Sequence, residues 1–191
     1  MGSYLNPGSF SFRGSLRSKI YVDKSELIAR TNEALCTEQK YICVSRPRRF
    51  GKSMAANILA AYYDRNEDTE ELFQSLAISK EKSYKEHLNQ YDVIKINMQE
   101  FLSMSETMEE MLEMLKNYLV SDFKETFHEI QFRDEKNLIQ VMKDVFRYTK
   151  CPFVILIDEW DCLFREYKQN KDAQKKYLDF LRAWLKDKDY V

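Results

Sequence analysis

Tyr41-Ile42-Cys43-Val44-Ser45-Arg46-Pro47-Arg48-Arg49-Phe50-Gly51-Lys52-Ser53 begins as a short apolar, β-prone run and ends on Gly-Lys-Ser. Tyr41–Ser45 suits a strand buried on both faces of a parallel sheet. From Lys52 to Tyr63 the composition is helical, with Met54, Ile58, Ala61 and Tyr62 on one side. Strand, loop and helix in that order, with Gly51-Lys52-Ser53 at the turn into the helix, match the second half of the phosphate-cradling pattern G-x-x-x-x-G-K-[ST].

The residue types follow from the chemistry. Phosphate oxygens need several converging backbone N–H donors, so the backbone must come close and a Cβ at position 51 would obstruct it. The helix from Lys52 adds its unpaired N–H groups and the positive end of its dipole. Lys52 supplies a mobile point charge for the β- and γ-phosphates. The Ser53 hydroxyl suits Mg2+, a hard ion that prefers oxygen. The expected nucleotide-binding residues are Arg46, Pro47, Arg48, Arg49, Phe50, Gly51, Lys52, Ser53 and Met54. The chain has only four glycines, where average usage would give about thirteen. Gly51 is the only one after residue 14. Arg46 departs from the pattern, because it occupies the place of the first glycine and resists positive φ angles. Pro47 stiffens the turn behind it.

Further along, Val93–Met98 reads as a second strand and Phe153–Asp158 as a third, the most hydrophobic. That third run ends in Asp158 and Glu159, at the edge of the sheet where α/β proteins place their ligands. Asp158 is the expected Mg2+ partner beside Ser53, and Glu159 the expected general base that polarises an attacking water, with Lys52 as its catalytic companion.

Between these runs the helical periods are plain. Asp23 reads as an N-cap with Glu26 as its capping-box partner, opening a helix to about Ala34. Weak helical pieces lie near Glu70–Leu76 and Lys82–Leu88. Ser103 and Glu106 form another expected capping box. The helix behind it carries Met108, Met111, Leu112, Leu115, Leu119 and Phe123 at helical spacing, a core stripe. Asp134–Thr149 and Lys171–Asp187 complete the set. Residues 1–19 read as irregular and Ile20–Val22 as a short extended piece. Strands alternating with long helices predict an α/β fold, a three-layer P-loop NTPase type with a mostly parallel sheet, in a single domain over residues 1–191.

Bulk properties narrow the classes. With 30 basic and 31 acidic residues, the net charge of −1 gives no global pull toward nucleic acid or membrane. No run of 18 apolar residues offers a membrane span, and the N-terminus reads as no signal peptide. Cys36, Cys43, Cys151 and Cys162 form no C-x-x-C pair and read as reduced core thiols of a cytoplasmic protein. His87 and His128 read as surface residues.

SRPRRFGKS, preceded by YVDKSELI and followed by VILIDEWD, resembles the bacterial AAA-ATPase-like proteins, from about Tyr4 to the last residue. In that family Arg46 is the usual residue, so it reads as a signature. The resemblance implies ATP and Mg2+ as cofactors, Ser45–Ser53 as Walker A, Asp158–Glu159 as Walker B and Asp161 as an acidic position that follows it. It implies ATP hydrolysis that drives a conformational switch. It also implies homo-oligomers that complete sites across subunits, and in many members a C-terminal PD-(D/E)-x-K nuclease-like domain. A further strand with a polar sensor residue would begin just after Tyr190–Val191, so the sheet is expected to be incomplete at the C-terminus. Arg165, Arg48 and Arg49 stand as arginine-finger candidates, and Tyr21–Lys24 as an adenine contact by position alone. Three other readings stand beside hydrolysis: a nucleotide-dependent binding module, a nucleic-acid module using Arg46, Arg48 and Arg49, and a small-metabolite kinase, for which no acceptor pocket is legible.

Overall fold

Strand β1, Asp92–Asn97, pairs in parallel with β2, Phe153–Asp158, in a register that sets Val93 beside Val154, Lys95 beside Leu156 and Asn97 beside Asp158. These come from a computed structural model that describes residues 2–35, 37–45 and 51–186. Among the described residues the sheet has two strands, within a mixed α/β fold of the P-loop-like kind. Parallel strands need a long crossover. Here it is made by three helices: α6 (Met98–Ser103), α7 (Met108–Thr126) and α8 (Leu138–Thr149).

Successive strand residues point to opposite faces, so each face gathers its own core. Ile94, Ile96 and Phe153 join the stripes of α7 and α8 and, further along, Tyr177 and Trp184. Val93 and Val154 join the other cluster, with Ile58, Ala61 and Tyr62 of α3, Lys52–Tyr63. Lys95, Leu156 and Asp158 alternate onto this α3 side. Before α3 come α1 (Phe10–Leu16) and α2 (Glu26–Ala34). After it come α4 (Glu70–Phe73), a 3-10 turn at Ala77–Lys80, and α5 (Tyr84–His87). Beyond β2 lie α9 (Cys162–Glu166) and α10 (Lys171–Leu185). The α7 stripe is buried as its spacing requires, and Trp184 is fully enclosed with its indole N–H on the Met142 sulfur at 3.0 Å.

The structure corrects the sequence reading in several places. Tyr41–Ser45 forms no strand. Tyr41, Ile42 and Val44 are 57%, 49% and 45% exposed. A β-prone run becomes a strand only when it pairs and packs, and among the described residues nothing pairs with it. Ile20 and Val22 are likewise exposed and unpaired with any strand.

The first residues, expected to be irregular, do structural work. The Asn6 amide donates to the Val93 carbonyl and the Lys95 amide to that of Tyr4, which makes an antiparallel bridge between Leu5 and Ile94. Asp122 accepts the amides of Tyr4 and Leu5, Asp92 accepts the Asn6 side chain, and Asp64 accepts the Gly8 amide. This strap covers the β1 edge that faces away from β2.

Two caps shift. Ser25 is the N-cap of α2, while Asp23 turns back onto the Ser25 amide. The capping box of α7 is Thr107 with Glu110: the Thr107 hydroxyl accepts the Glu110 amide and Glu110 accepts the Glu106 amide. Ser103 instead ends α6, its hydroxyl bonded to the Glu100 carbonyl. The α8 helix starts at Leu138, capped by Asn137, rather than at Asp134. Of the cysteines described, Cys151 and Cys162 are buried but Cys43 is exposed. His87 is half-buried, with its Nδ1 2.6 Å from the Tyr91 hydroxyl.

Candidate functional site

The site forms where the N-terminus of α3 meets the C-terminal end of β2. Gly51 is the N-cap of α3 in the left-handed conformation, φ 77° and ψ 32°. An L side chain rarely adopts that conformation, so the glycine is fixed here by backbone geometry as well as by close approach. Its carbonyl accepts the Ala55 amide at 3.0 Å and starts the helix. Lys52 and Ser53 are the first helical residues, followed by Met54. Arg46, Pro47, Arg48, Arg49 and Phe50 lie outside the described residues.

Ser53 Oγ donates to Asp158 Oδ2 at 2.5 Å. One turn further along α3, Lys95 Nζ donates to Asn57 Oδ1. Helix and sheet are thus tied by two polar links on one face, Ser53 to Asp158 and Asn57 to Lys95. Burial holds the Lys95 ammonium below its ordinary pKa, while the Asp158 charge pulls it back up. The sequence signal for Lys95 and Asn57 was available: a lysine inside an apolar strand needs a partner.

Beyond Asp158 the chain turns sharply. Glu159 has φ 52°, a left-handed backbone on a residue with a Cβ. Three contacts hold it there. The Glu159 amide donates to Asp158 Oδ1 at 2.9 Å, the Glu159 carbonyl accepts the Cys162 amide, and the Trp160 carbonyl accepts the Tyr177 hydroxyl at 2.8 Å. The Glu159 carboxylate is gripped by Arg165, whose Nη2 lies 2.5 Å from Oε2, while Nη1 donates to Asp161 at 2.8 Å. These contacts, the Glu159 bond foremost, push the guanidinium pKa up. Asp161 therefore serves the Glu159 turn, and Arg165 faces a carboxylate of its own chain. Tyr177 could not have been found from sequence, because its role depends on where α10 folds back.

The oxygens of Ser53 and Asp158 converge on one point, a donor set that fits a hard cation. Among the described residues, no group of three or more His, Cys, Asp or Glu forms a metal cluster, and no helix is long and apolar enough to cross a membrane.

The family model described as AAA-ATPase-like, predicted AAA-ATPase, matches residues 12–189. The chain belongs to the AAA-ATPase-like family. Neither a curated protein nor a solved structure matches it. Membership supports nucleotide binding and ATPase activity in general terms. It covers both halves of the site, Gly51–Ser53 and Asp158–Glu159.

Proposed function

We propose that the chain binds Mg-ATP at the N-terminus of α3 and hydrolyses it, coupling turnover to a conformational switch. One observation carries the reading: the hydrogen bond from Ser53 to Asp158, which brings a Gly-Lys-Ser helix start and the carboxylate ending a parallel strand to one point. Family membership supports it.

In this reading the helix N-terminus and Lys52 hold the phosphates, and Ser53 and Asp158 hold Mg2+. The ion, when bound, would neutralise charge on the phosphate oxygens. Glu159 accepts a proton from the attacking water, oriented by the turn that Arg165, Asp161 and Tyr177 brace. Positioning and charge stabilisation would supply most of the rate.

A second reading, a nucleotide-dependent binding module with little hydrolysis, is favoured by the Arg165 grip. A carboxylate held at 2.5 Å by a guanidinium must be released before it can face an attacking water.

The test is the melting temperature with and without about 1 mM Mg-ATP, for the wild type and Lys52→Ala. With a dissociation constant of about 10 μM, linkage gives roughly 2.7 kcal/mol of stabilisation. That is on the order of 5–10 °C for a chain this size. A shift lost in Lys52→Ala supports the reading, and no shift in a cooperatively melting protein sinks it. Glu159→Gln then separates the two readings, because a loss of turnover with binding kept follows only if the wild type hydrolyses.

A further inference from the structure

A β-carbon placed on Gly51 would lie 2.5 Å from the Nζ of Lys24 and 3.7 Å from its Cε. The Lys24 ammonium thus occupies the space that the absent side chain leaves, at the first turn of α3. It comes from the segment before α2, and that segment is firmly built. Asp23 Oδ1 accepts the Ser25 amide at 2.8 Å and its Oδ2 accepts the Ala77 amide at 2.8 Å. The buried Ser25 hydroxyl accepts the Ile78 amide at 3.1 Å. Lys24 is aimed at the loop glycine by a braced turn.

Two ammonium groups gather at this helix end, where Asp158 meets Ser53. A helix N-terminus disfavours cations, yet Lys24 and Lys52 come to the same end of α3 from separate elements. Such a concentration of positive charge suits a polyanion that spans both ammonium groups. We infer that Lys24 is a second phosphate-binding lysine, which contacts the polyphosphate of the bound nucleotide beside Lys52. The inference rests on the nucleotide reading above and deepens it. A glycine at 51 then has two roles: it permits the left-handed backbone, and it leaves room for an ammonium between helix and ligand.

The test is titration of a fluorescent ATP analogue, with inorganic tripolyphosphate as competitor, against the wild type, Lys24→Ala and Lys24→Met. Lys24→Met keeps the aliphatic stem and removes the charge. Loss of a charged hydrogen bond predicts weakening of about tenfold or more for both ligands. It also predicts a shallower dependence of affinity on salt, with cooperative melting retained in Lys24→Met. Three outcomes overturn the inference. Wild-type affinity in Lys24→Met removes Lys24 alone. Weakened nucleotide binding with unchanged tripolyphosphate binding moves Lys24 away from the phosphates. If the wild type binds neither ligand, the nucleotide reading falls and the Lys24 role falls with it.

Discussion

Ser53 and Asp158 stand 105 residues apart in sequence, yet Ser53 Oγ lies 2.5 Å from Asp158 Oδ2. The carboxylate accepts the Ser53 hydroxyl on one oxygen and the Glu159 amide on the other, and Mg2+ held at this point would compete with the hydroxyl. Asp158→Asn is therefore expected to weaken nucleotide binding about tenfold or more in Mg2+ and to leave it nearly unchanged in EDTA. Equal weakening under both conditions would place Asp158 outside the metal site. Isothermal titration with and without Mg2+ decides it.

The left-handed backbone at Glu159 yields a stability prediction independent of activity. Glu159→Ala and Glu159→Gly both remove the carboxylate and the Arg165 pair. Only glycine relieves the backbone, which costs about 1–2 kcal/mol for a residue with a Cβ. Glu159→Gly should therefore melt several degrees above Glu159→Ala. Equal melting temperatures would mean that the turn relaxes in both variants. The Arg165–Glu159 ion pair is about a third exposed and should couple by under about 1 kcal/mol in a double-mutant cycle.

Leu5 and Ile42 look alike in sequence, each an apolar residue near the start of the chain. Leu5 is fully buried against β1, whereas Ile42 is 49% exposed. Leu5→Ala should cost about 2–5 kcal/mol and Ile42→Ala close to nothing. Denaturant unfolding of both variants measures the contrast.

Lys95 gives the pH dependence. Its folded-state pKa lies below the ordinary 10.5, with burial the main cause. Between the folded value and 10.5 the unfolded chain binds more protons than the folded one, so this group raises stability as pH rises through that window. Lys95→Met should remove that contribution, making the alkaline limb of the stability curve less favourable relative to neutral pH. Urea midpoints from pH 7 to 10 test the sign, and an unchanged slope would mean that Lys95 is better solvated than its packing against Asn57 implies.

Much of the helical scaffold was legible because burial follows a 3.6-residue period. The α7 stripe and the buried face of α8 follow from spacing, and the α3 bounds from helical composition behind Gly51. The two strands that pair were legible too, each from a short apolar run. The failures share a cause. Tyr41–Ser45 has strand composition, but composition cannot supply a neighbour. Leu5 lies in a Ser- and Gly-rich stretch whose order comes from Asp64, Asp92 and Asp122, all remote in sequence. At the site, Gly51, Ser53, Asp158 and Glu159 were readable from motif and order. Lys95 and Tyr177 were not assigned, because each acts through a partner on another element. Lys24 reads only within Tyr21–Lys24 as an adenine contact and Arg165 as an arginine-finger candidate, whereas Arg165 turns onto Glu159 and Asp161.

The strap over β1 also has a consequence in time. Leu5 must wait for Ile94 before it can bridge, and its amide waits for Asp122, 117 residues later. At synthesis rates of about 5–20 residues per second, that is roughly 6–23 s. The strap is made before the partners that hold it and is therefore among the last of the described segments to settle. A nascent chain interrupted before Asp122 would hold an unsealed β1 margin, open to whatever other chain is near.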